Sequence, residues 1–194
     1  MPDRIALVAC GIFIAEFKSL DPELQGRFQP VFLDSMLHMD PAALDRRLSE
    51  ALPPEGGRAV ILYGDCSPHM YEFGLRPGCA RTKGVNCCEI CLGTDRYREL
   101  EKAGSFFLMP EWAARWEEVF KRSLGFGDGE LARSFMRENM REIVYLDTGV
   151  PRPGPEIFAA ASDYLGLRLR IESVGTAWLE AAIRAALLEA TDGS

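Results

Sequence analysis

Apolar residues arrive along this chain in short dense runs, separated by stretches with helical spacing. Ile5-Ala6-Leu7-Val8-Ala9 contains no polar position and ends on Cys10, with Gly11 as the turn out. A run of this length and density reads as a strand buried on both faces. Ile12 to Leu20 reads as a helix with Glu16 and Lys18 exposed, and Pro30 to Asp34 as a second strand. Asp40 is a good N-cap and Pro41 fits the first helical position. Leu44, Leu48 and Leu52 then form one apolar stripe, which Pro53-Pro54 and Gly56-Gly57 stop. Arg58 to Gly64 is a third strand, nearly all apolar.

Asp65 to Lys83 reads as the longest loop, with two prolines and two glycines. Asn86 caps a helix through Cys91 and Leu92 that breaks near Gly93, and Thr94 to Lys102 is a charged helix ended by Gly104. Ser105 to Met109 is the fourth strand. Pro110-Glu111-Trp112 begins a helix with Trp112, Trp116, Val119 and Phe120 on one face. A helix from Glu130 to about Glu142 leads to a fifth strand, Ile143 to Asp147. A helix closed by Gly166, a strand over Leu167 to Val174 and a helix over Trp178 to Ala190 complete the chain.

Strands alternating with helices predict an α/β fold: three layers, with a mostly parallel sheet flanked by helices. It is Rossmann-like but lacks the dinucleotide fingerprint, because no Gly-x-Gly-x-x-Gly turn follows the first strand. Residues 1–194 read as one domain, with Val150 to Pro155 the one candidate subdomain seam.

Composition narrows the classes of function. With 194 residues, 47% of them hydrophobic, the chain can bury a sizeable core. A formal net charge of -7 without a basic block argues against nucleic acid as a partner. No apolar run reaches the ~18 or more residues of a membrane helix, so no membrane is expected. Leu7-Val8-Ala9-Cys10 resembles a lipoprotein cleavage box. However, the segment before it is short and acidic at Asp3, and apolar residues continue past Cys10; a buried strand explains it better. Six cysteines in a core-rich chain of this size do not suggest a disulfide framework, and a reduced, cytoplasmic protein is expected.

The cysteines carry the candidate chemistry. Cys10 ends the first strand, Cys66 follows the third, and Cys87 opens the segment after Asn86. Open α/β sheets bind ligands outside the carboxyl ends of their strands. Thiols delivered there from separate strands converge, and convergent thiols suggest zinc, an iron–sulfur cluster or a reactive cysteine. Both histidines, His38 and His69, fall after the same strand ends and compete as a further ligand. Cys87 and Cys91 lie one helical turn apart and can share a face, whereas Cys88 points elsewhere and Cys79 lies in the loop. Asp147-Thr148 at a strand end suits a polar ligand or a turn equally. Glu111 reads as a first-turn carboxylate complementing the helix dipole before it reads as an acid or base. There is no Walker loop and no Gly-x-Ser-x-Gly elbow.

At these residues the sequence resembles the uncharacterised domain-of-unknown-function family numbered sixteen thirty-eight. The resemblance rests on the first strand ending in Cys10, Leu37-His38, Tyr63-Gly64-x-Cys66, Asn86-Cys87 with Leu92-Gly93, Phe106-Phe107-Leu108 leading to Pro110-x-Trp112, and Asp147-Thr148-Gly149. It spans most of the chain. Members often carry Asp where this chain has Asn86 and often have a longer C-terminal part, and Cys88 and Cys91 are not general features. The resemblance implies Cys10, Cys66 and Cys87 as the core metal set, with His38 as fourth ligand. It also implies an association with corrinoid-dependent methyl transfer, the corrinoid or methyltransferase being a partner. Three expectations follow: a catalytic metal centre with an open position, a protein for metal or cofactor delivery or maturation, and a small-molecule binding module whose cysteines only pack.

Overall fold

The computed structural model describes residues 4–192. In chain order the elements are β1 (Ile5–Cys10), α1 (Ile14–Ser19), α2 (Pro22–Gly26), β2 (Phe28–Leu33), α3 (Pro41–Ala51), β3 (Ala59–Leu62), α4 (Met70–Gly74), β4 (Cys79–Arg81) and α5 (Cys87–Leu92). They continue with α6 (Thr94–Lys102), β5 (Ser105–Leu108), α7 (Pro110–Ala114), α8 (Gly129–Asn139), β6 (Glu142–Asp147), α9 (Pro155–Leu165), β7 (Leu169–Ser173) and α10 (Ala177–Asp192). The architecture is α/β, and every strand pairing is parallel. The strands form a four-stranded and a three-stranded sheet. Chain contacts gather into two compact units, one reaching to Gly93 and resuming at Thr176, the other running from Thr94 to Gly175. Val150 to Pro155 lies inside the second unit, between β6 and α9. Among the described residues, no helix is long and apolar enough to cross a membrane.

The first unit holds the sheet β2-β1-β3-β4. Leu7, Val8, Ala9, Val60, Ile61 and Leu62 are completely buried. Because side chains alternate across a strand, burial at consecutive positions requires cover on both faces, which gives the three layers. Each Leu, Val or Ile among them contributes about 1.5–3 kcal/mol through burial. On α1, Phe17 meets Phe28 and Phe32 of β2 edge-on, at 6.3 and 5.8 Å between ring centres. The C-terminal α10 packs on β3, β4 and α5.

Strand order reverses at β1. Its register runs Cys10 against Leu33 on one side and Ala9 against Leu62 on the other. The chain leaves β1 for β2 and returns on the opposite flank as β3. The crevice beyond the carboxyl ends of β1 and β3 is therefore the switch point of this sheet, where α/β folds place ligands.

Three sequence expectations change here. The third strand ends at Leu62 rather than Gly64, so Tyr63 to Asp65 leave the sheet. The expected loop from Asp65 to Lys83 contains α4 and β4, because Cys79 to Arg81 are drawn straight by pairing with Ala59 to Ile61. Glu16 is buried rather than exposed.

In the second unit β6 is central, in the order β5-β6-β7. The helix expected to reach Glu142 stops at Asn139, because Glu142 belongs to β6. Glu142 is 7% exposed and receives hydrogen bonds from Ser105 Oγ at 3.1 Å and from Arg170 Nε and Nη2 at 3.3 and 3.2 Å. The Arg170 bonds outweigh burial and hold its carboxyl below the usual glutamate value. A carboxyl lowered by folding contributes stability above its unfolded pKa and loses it as pH falls through the folded one. Glu142→Gln should therefore cost about 1–3 kcal/mol at pH 7. The deficit should shrink in denaturant titrations carried below about pH 4, under the ordinary glutamate range.

Candidate functional site

Cys10 is the last residue of β1 and is 4% exposed. A Cβ on Gly11 would stand 2.8 Å from the Leu33 carbonyl oxygen, so glycine lets the chain turn closely past the end of β2. Beyond β3, Tyr63 is buried and Gly64 touches the next segment. A Cβ there would lie 2.6 Å from both Asn86 N and Val85 O, and closer still to Asn86 Cα. The Asp65 amide donates to the Val85 carbonyl at 2.9 Å. Thr82 Oγ1 donates to the carbonyls of Ile61 at 3.4 Å and Tyr63 at 3.3 Å. This lacing holds Cys66 beside the start of α5.

The start of α5 is itself a reciprocal cap. Asn86 Oδ1 accepts the Glu89 amide at 2.9 Å, and Glu89 Oε2 accepts the Val85 amide at 2.6 Å. Gly84 has φ +140° and would drive a Cβ to 2.8 Å from Ile90 Cγ1, so the approach to the cap also depends on glycine. Cys87 is thereby fixed in the first turn of α5.

Three cysteines separated by more than 50 residues at one interval and about 20 at the other come near enough here to influence one another electrostatically. The Cys87 thiol is hydrogen-bonded with Cys10, and this bond, followed by burial and the neighbouring thiols, pushes it well above the ordinary cysteine value. Burial, then Cys10, pushes Cys66 up to about 11, against opposing help from the Gly64 backbone and Arg81. Cys88 is pushed up to about 12 by burial and by Cys66. Cys91 is raised by burial, Cys88 and Glu16. A nucleophilic cysteine needs its pKa lowered, and every shift among these thiols runs upward. A cation would relieve the mutual repulsion and favour the thiolates together. All six cysteines are free thiols. Among the described residues, no group of three or more His, Cys, Asp or Glu is placed to hold a metal ion.

The other sequence candidates fall in distinct places. His38 lies in the 3₁₀ turn Ser35–Met39 that follows β2, and its Nδ1 donates to the Ser35 carbonyl at 2.6 Å. His69 is clasped elsewhere, with Nδ1 on Asp45 Oδ2 at 2.6 Å, while Ser67 Oγ donates to the other oxygen of the same carboxylate. Cys79 opens β4 opposite Ala59, at the far end of the sheet from Cys10. In the second unit, Asp147 Oδ1 accepts the Gly149 amide at 3.2 Å, and its carbonyl accepts the amides of Val174 and Gly175. Thr148 beside it is buried. Glu111 pairs with Arg115 Nε at 2.6 Å, one helical turn away.

Tyr63 was not among the residues singled out for chemistry. It is 1% exposed, and its hydroxyl has no hydrogen-bond partner among the described residues. After burial, the groups it feels most strongly are Cys10, Cys87 and Cys66. The available signal was its place, directly after a fully buried strand and three residues before Cys66. A tyrosine brings a polar tip to any site its ring helps wall.

A family model described as "Protein of unknown function (DUF1638)" matches residues 32–183. The match takes in His38, Cys66, Cys87 and Asp147-Thr148, and begins after Cys10. No curated protein and no solved structure matches the chain.

Proposed function

The chain belongs to the DUF1638 family, and we propose that this member of it binds a metal through Cys10, Cys66 and Cys87. The observation that supports the proposal is the mutual electrostatic influence of these thiols, which come from three separate segments near the switch point of the first sheet. The donor set fits zinc or an iron–sulfur cluster, both of which take cysteine with an occasional histidine. His38 is the proposed fourth ligand. Its Nδ1–H on a backbone carbonyl is the arrangement that steadies a histidine binding metal through Nε2.

With three or four protein ligands, a metal in this crevice would keep or yield one position to an exchangeable group. When bound, it would supply Lewis acidity toward a thiol or water. The proposed use is thiol- or corrinoid-linked methyl transfer, with the corrinoid held by a partner protein. Cys66 and Cys87 are half-buried, which supports access from outside. One observation favours a second reading, metal or cofactor delivery without catalysis. The carboxylate nearest Cys66 in sequence, Asp65, is paired with Arg81 at 2.7 Å and is poorly placed as a general base.

Protein purified without oxygen should carry close to stoichiometric metal. Visible absorbance would assign iron–sulfur, and a colourless zinc-loaded protein would assign zinc. A protein that arrives without metal and takes up neither zinc nor iron with sulfide overturns the proposal. Rapid surrender of the metal to a partner, without turnover of methyl donors, would favour delivery.

A further inference from the structure

We propose that the first unit carries a separate ligand site at the amino ends of β3 and β4: a cavity that binds a small apolar amino acid through Arg76 and Glu55. The inference is independent of the metal reading. Cys79 in the cavity wall opens β4, at the far end of the sheet from Cys10.

The cavity measures about 400 Å³, within the range of roughly 300–1,000 Å³ usual for small-molecule sites. Two tight turns frame it. Pro54 to Gly57 is closed by the Gly57 amide donating to the Pro54 carbonyl at 3.0 Å. Arg76 to Cys79 is closed by the Cys79 amide donating to the Arg76 carbonyl at 2.9 Å. The third residue of each turn is a glycine with positive φ, Gly56 at +85° and Gly78 at +78°, as turns of this kind require. The turns press on one another. A Cβ on Gly78 would stand 2.7 Å from the Gly57 carbonyl oxygen, and a Cβ on Gly57 would stand 2.5 Å from the Pro53 Cβ. The Ala59 amide donates to the Gly78 carbonyl at 3.0 Å and ties the pair to β3. Backbone contacts this close, with φ fixed at each proline, form the cavity before a ligand arrives. Little ordering then opposes binding.

The charges in the wall identify the ligand. Arg76 is its one cationic side chain and Glu55 its one acidic side chain. Neither makes a side-chain hydrogen bond or an ion pair with any described residue. A half-buried guanidinium presents a planar fork that matches a carboxylate. The Glu55 carboxylate complements an ammonium group. Pro53, Pro54 and Pro77 supply apolar wall for a hydrocarbon side chain. A simple organic anion would satisfy Arg76 and meet repulsion from Glu55. An amino acid with an apolar side chain satisfies both charges and the proline faces together.

The test is a titration of the wild-type protein with L-leucine, L-methionine and L-phenylalanine, each added singly and followed through the amide NMR signals of Gly56, Gly57, Gly78 and Cys79. At least one should move these signals saturably. The amide of that amino acid, which lacks the carboxylate, and its N-acetyl derivative, which lacks the ammonium, should each bind about 10-fold more weakly or worse, because a charge-assisted hydrogen bond is lost in each case. Arg76→Ala should lose affinity for the amino acid to the same extent, and Glu55→Gln should no longer discriminate against the N-acetyl derivative. No movement of these signals with any of the three, even at millimolar concentration, overturns the inference. Equal binding of the amino acid and both derivatives also overturns it, as does wild-type affinity in Arg76→Ala.

Discussion

Cys66→Ser is expected to lower zinc affinity by more than about 100-fold, beyond the range seen for partners that only support a ligand, while leaving the fold intact. Cys66 is felt by Cys87 and Cys88 and itself feels Cys10. Serine keeps the approximate shape but replaces a soft, ionisable sulfur with an alcohol that does not ionise in this range. Sulfur selectivity of the site is lost with it. The structural cost is small, because Cys66 is half-buried in a turn and its backbone bonds are unchanged. Cys79→Ser is the matched control. Its thiol sits at the opposite end of the sheet, so metal affinity should stay at the wild-type value. Chelator competition on both variants, with melting curves beside it, checks the pair. Equal zinc affinity in Cys66→Ser and wild type would remove Cys66 from the centre.

Gly64→Ala should be the most damaging single-methyl change in the first unit. The added Cβ meets backbone atoms of Val85 and Asn86, 2.6 Å from the oxygen of one and the nitrogen of the other. A flexible side chain could swing aside, but backbone locked by a cap cannot. Overpacking of this kind costs about 1–3 kcal/mol and occasionally more; the upper end is expected here. The effect reaches the site by the same route. Relief of the clash must separate the end of β3 from the start of α5, which parts Cys66 from Cys87. Stability and metal affinity should therefore fall together. Gly26→Ala provides the contrast, since nothing lies within 4 Å of its added Cβ and it closes a helix. That change should be neutral or stabilising by about 0.4–1 kcal/mol. Urea titrations of the two variants distinguish steric conflict from a general glycine effect.

The fold and the thiol positions were legible in the sequence for a physical reason. Strands buried on both faces are unbroken apolar runs, and Ile5 to Cys10 and Ala59 to Leu62 are two of them. A parallel sheet puts the residue after each run at the same edge, so Cys10 and Cys66 could be placed together before their contacts were known. The cap at Asn86 was equally local, since the acceptor and its amide lie three residues apart. What escaped notice depended on distant partners. Cys79 to Arg81 have no strand pattern of their own and become β4 only through pairing with β3. Glu16 looked exposed from its helical spacing, but its side chain faces inward toward Cys91. His69 and Cys66 have chelating spacing, yet Asp45 from α3 claims the imidazole, a contact that spacing cannot reveal. The unmet hydroxyl of Tyr63 is a property of its surroundings and not of the sequence.

The central claim is that Cys10, Cys66 and Cys87 together hold a metal. It is tested most directly by the metal content of the wild-type protein and of the Cys10→Ser, Cys66→Ser, Cys87→Ser triple variant, purified side by side without oxygen. The account predicts near-stoichiometric zinc, or iron with sulfide, in the wild type and none in the triple variant at matched secondary structure. Equal metal in the two proteins, or none in the wild type even after reconstitution, would contradict it.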